Sequence, residues 1–177
     1  MTIQILYSSA EGQARRIAER IDGDLRDQGY TTQCEDVGRA VMRTKPHAVV
    51  LIASIHVGKH ATIARNFIKA NLPLFNEIPS AFMSVSMSAQ EADRTRAQGY
   101  VADFMADTGW QPEITATVAG ALRYTNYNFV KKLIMKRIAT ESGLPTDTSR
   151  DYEFTDWDEV ASFVSAFELS LHETAVR

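Results

Sequence analysis

A short loop near the amino terminus has the composition of an anion-binding turn. Its residues are Ser8, Ser9, Ala10, Glu11, Gly12, Gln13 and Ala14, and they join an apolar, β-prone run to a segment with helical periodicity. Backbone N–H groups at a helix start, together with short hydroxyl side chains, bind a phosphate monoester, and glycine permits close approach. The loop has neither a Gly-x-Gly-x-x-Gly fingerprint nor a Gly-Lys-Ser/Thr motif, which disfavours a dinucleotide or a nucleoside triphosphate.

Two histidines, His56 and His60, follow a continuous apolar run and are the polar candidates for proton chemistry. An imidazole there can relay a proton or stabilise a charge, and a plain hydrogen-bonding role is an equal alternative. His47 and His172 are predicted to be surface residues. No spacing of His, Asp or Glu resembles a metal site, so no metal is predicted, and the single cysteine, Cys34, excludes an intrachain disulfide and a CxxC pair.

The elements that position these residues alternate between strand and helix. A parallel sheet covered on both faces follows from that alternation, with ligands bound at the carboxyl ends of the strands. We expect an α/β three-layer sandwich whose five-stranded parallel sheet has the order 2-1-3-4-5, in one domain over residues 1–177, with an insertion at about 123–151 that interrupts the last strand. The loops after Tyr7, Ala53 and Val85 are then the binding loops. The five predicted strands cover 3–6, 30–35, 48–53, 81–85 and 114–119.

Several segments together resemble a known family. The loop Ser8-Ser9-x-x-Gly12-Gln13-Ala14 is similar to the FMN phosphate loop of flavodoxins. The whole chain resembles the flavodoxin-like, quinone-dependent protoporphyrinogen IX dehydrogenases of bacterial haem synthesis. The more specific segments are 53–60 (ASIHVGKH), 118–124 (VAGALRY), 132–136 (KLIMK) and 146–148 (TDT) leading to 155–157 (TDW). The resemblance implies a flavodoxin-like fold, FMN as cofactor, and oxidation of protoporphyrinogen IX to protoporphyrin IX with menaquinone or ubiquinone as acceptor.

The resemblance also implies which residues bind the cofactor. Ser8, Ser9, Glu11, Gly12, Gln13 and Ala14 would surround the phosphate. Ser54, Ile55, His56, Val57 and Gly58 would lie along the ribityl chain and one edge of the ring, with Ser86, Met87 and Ser88 at the other edge. Ala14 stands where flavodoxins usually have Thr or Ser, and Val57 stands where some relatives have an aromatic residue, so the sequence departs from the pattern at both positions.

The catalytic residues stay open at this level. No catalytic base can be named, and the candidates are His56, His60 and Arg123. We expect Arg123 to contact a substrate propionate or the flavin edge, and Tyr124 to pack at the mouth of the pocket.

Charge is distributed unevenly along the chain. The net charge of the 177 residues is −3, yet residues 114–140 hold five basic and no acidic side chains, and the remainder carries −8. On a helical projection Phe129, Val130, Leu133, Ile134 and Ile138 share one half, Lys131, Lys132 and Lys136 share the other, and Arg137 falls in the apolar half. This pattern is typical of a helix lying on an anionic membrane surface, and an ordinary packed helix with a solvated basic face is the alternative.

These features predict a partner and a location. We expect the enzyme to be cytoplasmic and peripherally attached to the inner face of the cell membrane through Lys131, Lys132, Lys136 and Arg137. The balanced total charge argues against nucleic acid as a partner. No apolar run reaches the roughly 18 residues of a spanning helix, and residues 1–4 show no basic region of a signal peptide.

Three other functions remain open at this point. A flavodoxin-type electron carrier predicts an acidic rim around the flavin, opposite to the basic insertion. An NAD(P)H:quinone reductase predicts rapid bleaching of the flavin by the nicotinamide. A non-catalytic module predicts a protein that stays colourless when FMN is added.

Overall fold

The computed structural model describes residues 1–42, 44–141 and 143–175. The strands are β1 (Thr2–Ser8), β2 (Thr31–Asp36), β3 (Ala48–His56), β4 (Lys59–His60), β5 (Ser80–Val85), β6 (Ile114–Val118), β7 (Ala121–Leu122) and β8 (Tyr152–Glu153). The helices are α1 (Gln13–Asp27), α2 (Thr62–Ala70), α3 (Leu72–Phe75), α4 (Thr95–Thr108), α5 (Phe129–Glu141) and α6 (Trp157–Ala175). Short 3₁₀ turns cover Met87–Gln90 and Tyr124–Asn126.

Five strands form a parallel sheet in the order β2-β1-β3-β5-β6, and the two-residue β4 pairs antiparallel with the end of β3. The central strand β3 is buried on both faces from Ala48 to Ala53 because its side chains meet a helix layer on each side. The predicted α/β fold and strand order are therefore confirmed, with β4 as a small addition that shortens the loop after β3.

Helices cover the sheet on two sides. The helices α1 and α6 pack on one face, where Ile17, Ile21 and Phe163 belong to one apolar core. The helices α2 and α4 pack on the other, where Phe82 and Trp110 belong to a second core. The loops that follow β1, β3 and β5 lie together at the carboxyl end of this sheet.

The last helix, α6, begins with a side-chain cap. The Asp156 carboxylate accepts hydrogen bonds from the N–H groups of Asp158 at 2.9 Å and Glu159 at 3.3 Å, as a cap does. The Glu159 carboxylate does not complete a capping box, because it pairs with Arg94 at 2.6 Å. This ion pair ties the start of α6 to the start of α4.

The insertion lies outside the five-stranded sheet. The last sheet strand ends at Val118, and after two residues the chain enters β7, which pairs antiparallel with β8 at the far end of the insertion. Residues 123–151 connect these two short strands and include α5. The insertion has a small core of its own, with Leu122, Tyr124 and Tyr127 buried in it.

Candidate active site

A cavity of about 650 Å³ opens at the carboxyl end of the sheet. Three of its walls are the loops that follow β1, β3 and β5, as expected for a doubly wound sheet. The insertion supplies the fourth wall. The lining residues are Ser9, Ala10, Glu11, Gln13, Ser54, Ile55, His56, Val57, Gly58, Val85, Ser86, Met87, Gly120, Ala121, Leu122, Tyr127, Ile134 and Met135.

The loop after β1 has the geometry of an anion site. Gly12 adopts φ 92°, and its N–H donates to Ser9 Oγ at 3.0 Å, which closes the turn. Within the described ranges no side chain caps the start of α1, so its first N–H groups are left for a ligand. Ser8, Gly12 and Ala14, predicted as phosphate residues, do not line the large cavity, and Ala14 is fully buried beneath the turn.

Ser54 joins the first two loops. Its hydroxyl accepts a hydrogen bond from the Ala10 N–H at 3.1 Å and donates to the carbonyl oxygen of Ser8 at 3.3 Å. The loop after β1 is therefore held by the end of β3, and its shape does not depend on its own sequence alone.

The loop after β3 presents both polar and apolar groups to the cavity. His56 and Val57 line it, and Val57 is 86% exposed at φ 50°, in the left-handed region that β-branched residues rarely adopt. The next residue, Gly58, is also at positive φ, 74°. The tight turn between β3 and β4 thus turns an apolar side chain outward at the rim of the cavity.

His60 does not reach this cavity, which corrects its role as a catalytic candidate. Its side chain is 4% exposed, packs against Phe82 and Phe104, and lies 3.0 Å from Ser84 Oγ through Nε2. Burial, with a smaller contribution from Arg65, lowers the pKa of His60 to about 4. The neutral imidazole therefore fastens the short strand β4 to β5.

The loop after β5 offers a hydroxyl without a protein partner. Ser86 Oγ is buried, lines the cavity, and has no hydrogen-bond partner in the described part of the chain. A hydroxyl in this position can hydrogen-bond a polar group of a ligand bound in the cavity. Met87 also lines the cavity, whereas Ser88 does not.

Two predicted contacts in the insertion are also corrected. Arg123 does not line the cavity, and its Nη2 donates to Gln13 Oε1 at 2.7 Å. Tyr124 is not at the mouth, because its ring is fully buried and its hydroxyl donates to the carbonyl oxygen of Pro145 at 3.0 Å.

Tyr127 is a site residue that the sequence did not reveal. Its ring lines the cavity, and its hydroxyl donates a hydrogen bond to the Glu11 carboxylate. Burial and then this hydrogen bond raise the pKa of the Tyr127 phenol, which is protonated at neutral pH. Its only sequence signal is an aromatic residue with a polar tip directly before a basic helix.

The fold and the cavity define a flavodoxin-like protein that binds FMN. A Flavodoxin domain model matches residues 4–149. The protein shares its fold with a flavodoxin mutant from Pseudomonas aeruginosa (TM-score 0.54, 14% identity, 95% of this chain and 99% of that one). It also shares it with the flavodoxin of Streptococcus pneumonia TIGR4 (TM-score 0.57, 9% identity, 95% and 96%). FMN is the cofactor, and the uncapped helix start and the buried Ser86 hydroxyl fit it.

Curated relatives define the family more closely. The chain is 33% identical over 167 residues to the protoporphyrinogen IX dehydrogenase [quinone] of Escherichia coli (strain K12), covering 92% of each. It is 30% identical over 169 residues to the protein of that name from Leishmania major, covering 92% of this chain and 73% of that one. The chain is an oxidoreductase that belongs to the family of the quinone-dependent protoporphyrinogen IX dehydrogenases.

The described ranges show neither a metal site nor a membrane-spanning helix. They contain no group of three or more His, Cys, Asp or Glu side chains placed to hold a metal ion. None of the helices described there has both the length and the apolar character to cross a bilayer.

Proposed function

We propose that this enzyme oxidises protoporphyrinogen IX to protoporphyrin IX, with menaquinone or ubiquinone as acceptor, in porphyrin and haem biosynthesis. The observation that carries the proposal is the fourth wall of the cavity, which the insertion builds from Leu122, Tyr127, Ile134 and Met135. The names of the curated relatives give a substrate and an acceptor, protoporphyrinogen IX and a quinone. An apolar wall suits a flat apolar macrocycle of this kind.

We expect one face of the bound cofactor to be open to a reactant. FMN, when bound, would supply the two-electron redox chemistry that links the porphyrinogen to the quinone. The lining residues of the loops after β3 and β5 include no Phe, Tyr or Trp side chain, so no such ring from these loops covers a flavin face. Ile134 and Met135 form an apolar side of the cavity, which suits a substrate that is itself apolar.

His56 is the residue that we propose for proton transfer. The described lining holds three titratable side chains, those of Glu11, His56 and Tyr127. Tyr127 and Glu11 are hydrogen-bonded to each other, whereas His56 lies on the loop after β3 with its side chain exposed. An imidazole can both accept and donate a proton, which suits this role.

The activity is tested by loading the protein with FMN and following porphyrin fluorescence under anaerobic conditions with a soluble menaquinone or ubiquinone analogue. We expect a fluorescence rise that requires both the flavin and the quinone. No quinone-dependent rise would contradict the proposal. Rapid bleaching of the flavin by NADPH, without porphyrin formation, would point to a quinone reductase instead.

We also propose that α5 docks the enzyme on an anionic membrane surface. Its apolar side chains are turned to solvent, with Phe129 82% and Leu133 62% exposed. An ordinary packed helix would bury these residues, so this alternative is not supported. Lys136 and Arg137 are exposed on the same helix. The side chain of Lys131 is not among those that the structure describes.

Both kinds of residue on α5 reach solvent. The exposed ones include the apolar Phe129, Val130, Leu133 and Ile134 and the basic Lys136 and Arg137. Apolar side chains that enter the headgroup layer beside cations that contact anionic lipids are typical of interfacial helices. Ile134 belongs both to this surface and to the cavity wall, so a quinone could pass from the membrane to the cavity along α5.

Membrane docking is tested by sedimentation with vesicles. We expect binding to vesicles that contain phosphatidylglycerol and much weaker binding to vesicles of phosphatidylcholine alone. Equal binding to both would contradict the electrostatic part of the proposal. This surface would place the enzyme on the cytoplasmic face of the cell membrane, where anionic lipids and the quinone pool meet.

A further inference from the structure

Two side chains of the insertion contact the phosphate loop directly. The Tyr127 hydroxyl donates to the Glu11 carboxylate and accepts the N–H of Arg123 at 3.3 Å. The Arg123 guanidinium donates to Gln13 Oε1 at 2.7 Å. Tyr127 is buried, so its contact with Glu11 is shielded from bulk water. The loop that receives the FMN phosphate is therefore bonded to a segment that lies more than 100 residues further along the chain.

Gln13 is held from both ends of the insertion. It is the first residue of α1 and is 4% exposed. Its carboxamide oxygen accepts from Arg123, near the start of the insertion, and its Nε2 donates to Thr155 Oγ1 at 2.8 Å, just after the end. Thr155 Oγ1 donates in turn to the carbonyl oxygen of Ala119 at 2.8 Å. The side chain of the first residue of α1 is thus held by one contact inside the insertion and one just beyond it.

Glu11 poses an electrostatic problem in this loop. A carboxylate that lines the cavity beside an anion site repels a phosphate, and in a partly desolvated cavity the repulsion is stronger than in water. The Tyr127 hydroxyl gives this carboxylate a partner on the insertion side. A hydrogen bond from a neutral donor to a charged acceptor is among the stronger ones that proteins form, so it holds Glu11 in that position.

We propose that Tyr127 and Arg123 are positioning residues of the FMN phosphate site, and that FMN binding and docking of the insertion stabilise each other. Tyr127 keeps the Glu11 carboxylate turned toward the insertion, and Arg123 keeps Gln13 and the start of α1 in place. Coupling of this kind is reciprocal by thermodynamic necessity. The proposal rests on FMN as cofactor and does not depend on the identity of the substrate or on membrane docking.

The test is a comparison of FMN with riboflavin, which lacks the phosphate. Dissociation constants are measured by quenching of flavin fluorescence for the wild type, Tyr127→Phe, Glu11→Gln and the double variant. We expect Tyr127→Phe to weaken FMN binding about tenfold and riboflavin binding by less than about twofold, because only the phosphate meets the displaced carboxylate. The double variant should bind FMN nearly as tightly as Glu11→Gln alone.

Tyr124→Phe is the matched control. It removes the same hydroxyl from a neighbouring buried tyrosine whose partner is Pro145 within the insertion and not the phosphate loop. We expect its FMN affinity to match that of the wild type. Equal weakening of FMN and riboflavin by Tyr127→Phe would show a merely structural role and overturn the proposal, as would unchanged FMN affinity or no rescue by Glu11→Gln.

The reciprocal effect is measured by hydrogen exchange, which does not require riboflavin to bind. FMN should slow exchange of amides in residues 123–141 of the wild type, and this protection should be reduced in Arg123→Gln. If FMN protects the phosphate loop but leaves the insertion unchanged, the two are not coupled and the proposal fails. Either failure would leave the oxidation of protoporphyrinogen IX untouched, since the fluorescence assay measures that activity separately.

Discussion

The helices α6 and α5 carry similar apolar residues in opposite environments. On α6, Phe167 is 1% exposed and packs into the core between helix and sheet. On α5, Phe129 is 82% exposed. Both helices show apolar side chains at helical spacing, so the pattern alone does not tell whether the face is packed or displayed. The flavodoxin-like body thus buries the apolar residues of α6 in its core, whereas α5 leaves several of its own exposed to solvent.

We expect the largest effect when Phe167 and Phe129 are compared by the free energy of unfolding of their alanine variants. Phe167→Ala should lower the free energy of unfolding by about 3–5 kcal/mol, because it leaves a cavity in the core. Phe129→Ala should change it by less than about 0.5 kcal/mol, as for an exposed site. Urea unfolding followed by circular dichroism measures both. A loss of several kcal/mol in Phe129→Ala would show that Phe129 is packed. It would contradict the contrast between an exposed α5 and a buried α6.

The second prediction concerns the pH dependence of stability, because the flavodoxin-like body buries a titratable side chain, that of His60. The pKa of His60 is lowered from about 6.5 to about 4 in the folded protein, so the unfolded chain binds more protons between these values. The contribution of neutral His60 to stability is complete above about pH 6.5 and is lost as the pH falls toward 4. Between pH 7 and pH 5 we expect a loss of about 2 kcal/mol from this residue.

The control for this prediction is His60→Asn, which removes the titrating group. Urea midpoints at pH 7 and pH 5 should differ less in the variant than in the wild type. If both show the same dependence on pH, His60 is not the group responsible.

The third prediction concerns the displayed face of α5. Phe129→Ser combined with Leu133→Ser should reduce binding to anionic vesicles about tenfold or more, because two apolar side chains no longer enter the lipid. Leu169→Ser is the control, since Leu169 on α6 is 62% exposed, as Leu133 is. Equal effects of the α5 and α6 changes would show that exposure alone does not identify the docking face.

The smallest expected effect comes from a single charge. Lys136→Gln should weaken binding to anionic vesicles about fivefold, which corresponds to about 1 kcal/mol for one cation near the surface. Lys45→Gln is the control, because Lys45 precedes β3 at the amino end of the sheet, opposite the cavity, and pairs with Glu77. The Lys136 effect should shrink as salt is added. Persistence at high salt would exclude an electrostatic origin.

Much of the body could be predicted from the sequence. Strand order follows from alternation of strands with helices, and the site position follows from the carboxyl ends of parallel strands. The loop 8–14 can be identified from the sequence because its glycine and hydroxyl residues make contacts within the loop. Gly12 has the positive φ that such a turn requires, and its N–H bonds to Ser9 only three residues away.

The contacts that sequence reasoning missed are those between distant segments. The direction of His60 depends on the pairing of Ile55 with His60 across a two-residue turn, and a shift of one residue would turn the imidazole to the other face. Tyr127 meets Glu11 across 116 residues, and nothing in the local pattern of either residue records this contact. The sequence suggests a ligand contact for Arg123. Its guanidinium instead bonds to Gln13, another distant contact that the local pattern does not record.

We propose that a cavity walled by the insertion carries out porphyrinogen oxidation at a membrane. This is tested by porphyrin fluorescence under anaerobic conditions, with FMN-loaded protein and menaquinone embedded in vesicles. We expect a quinone-dependent rise that is faster with anionic than with zwitterionic vesicles and is slowed by Phe129→Ser with Leu133→Ser. No rise with either kind of vesicle, while FMN remains bound, would contradict it.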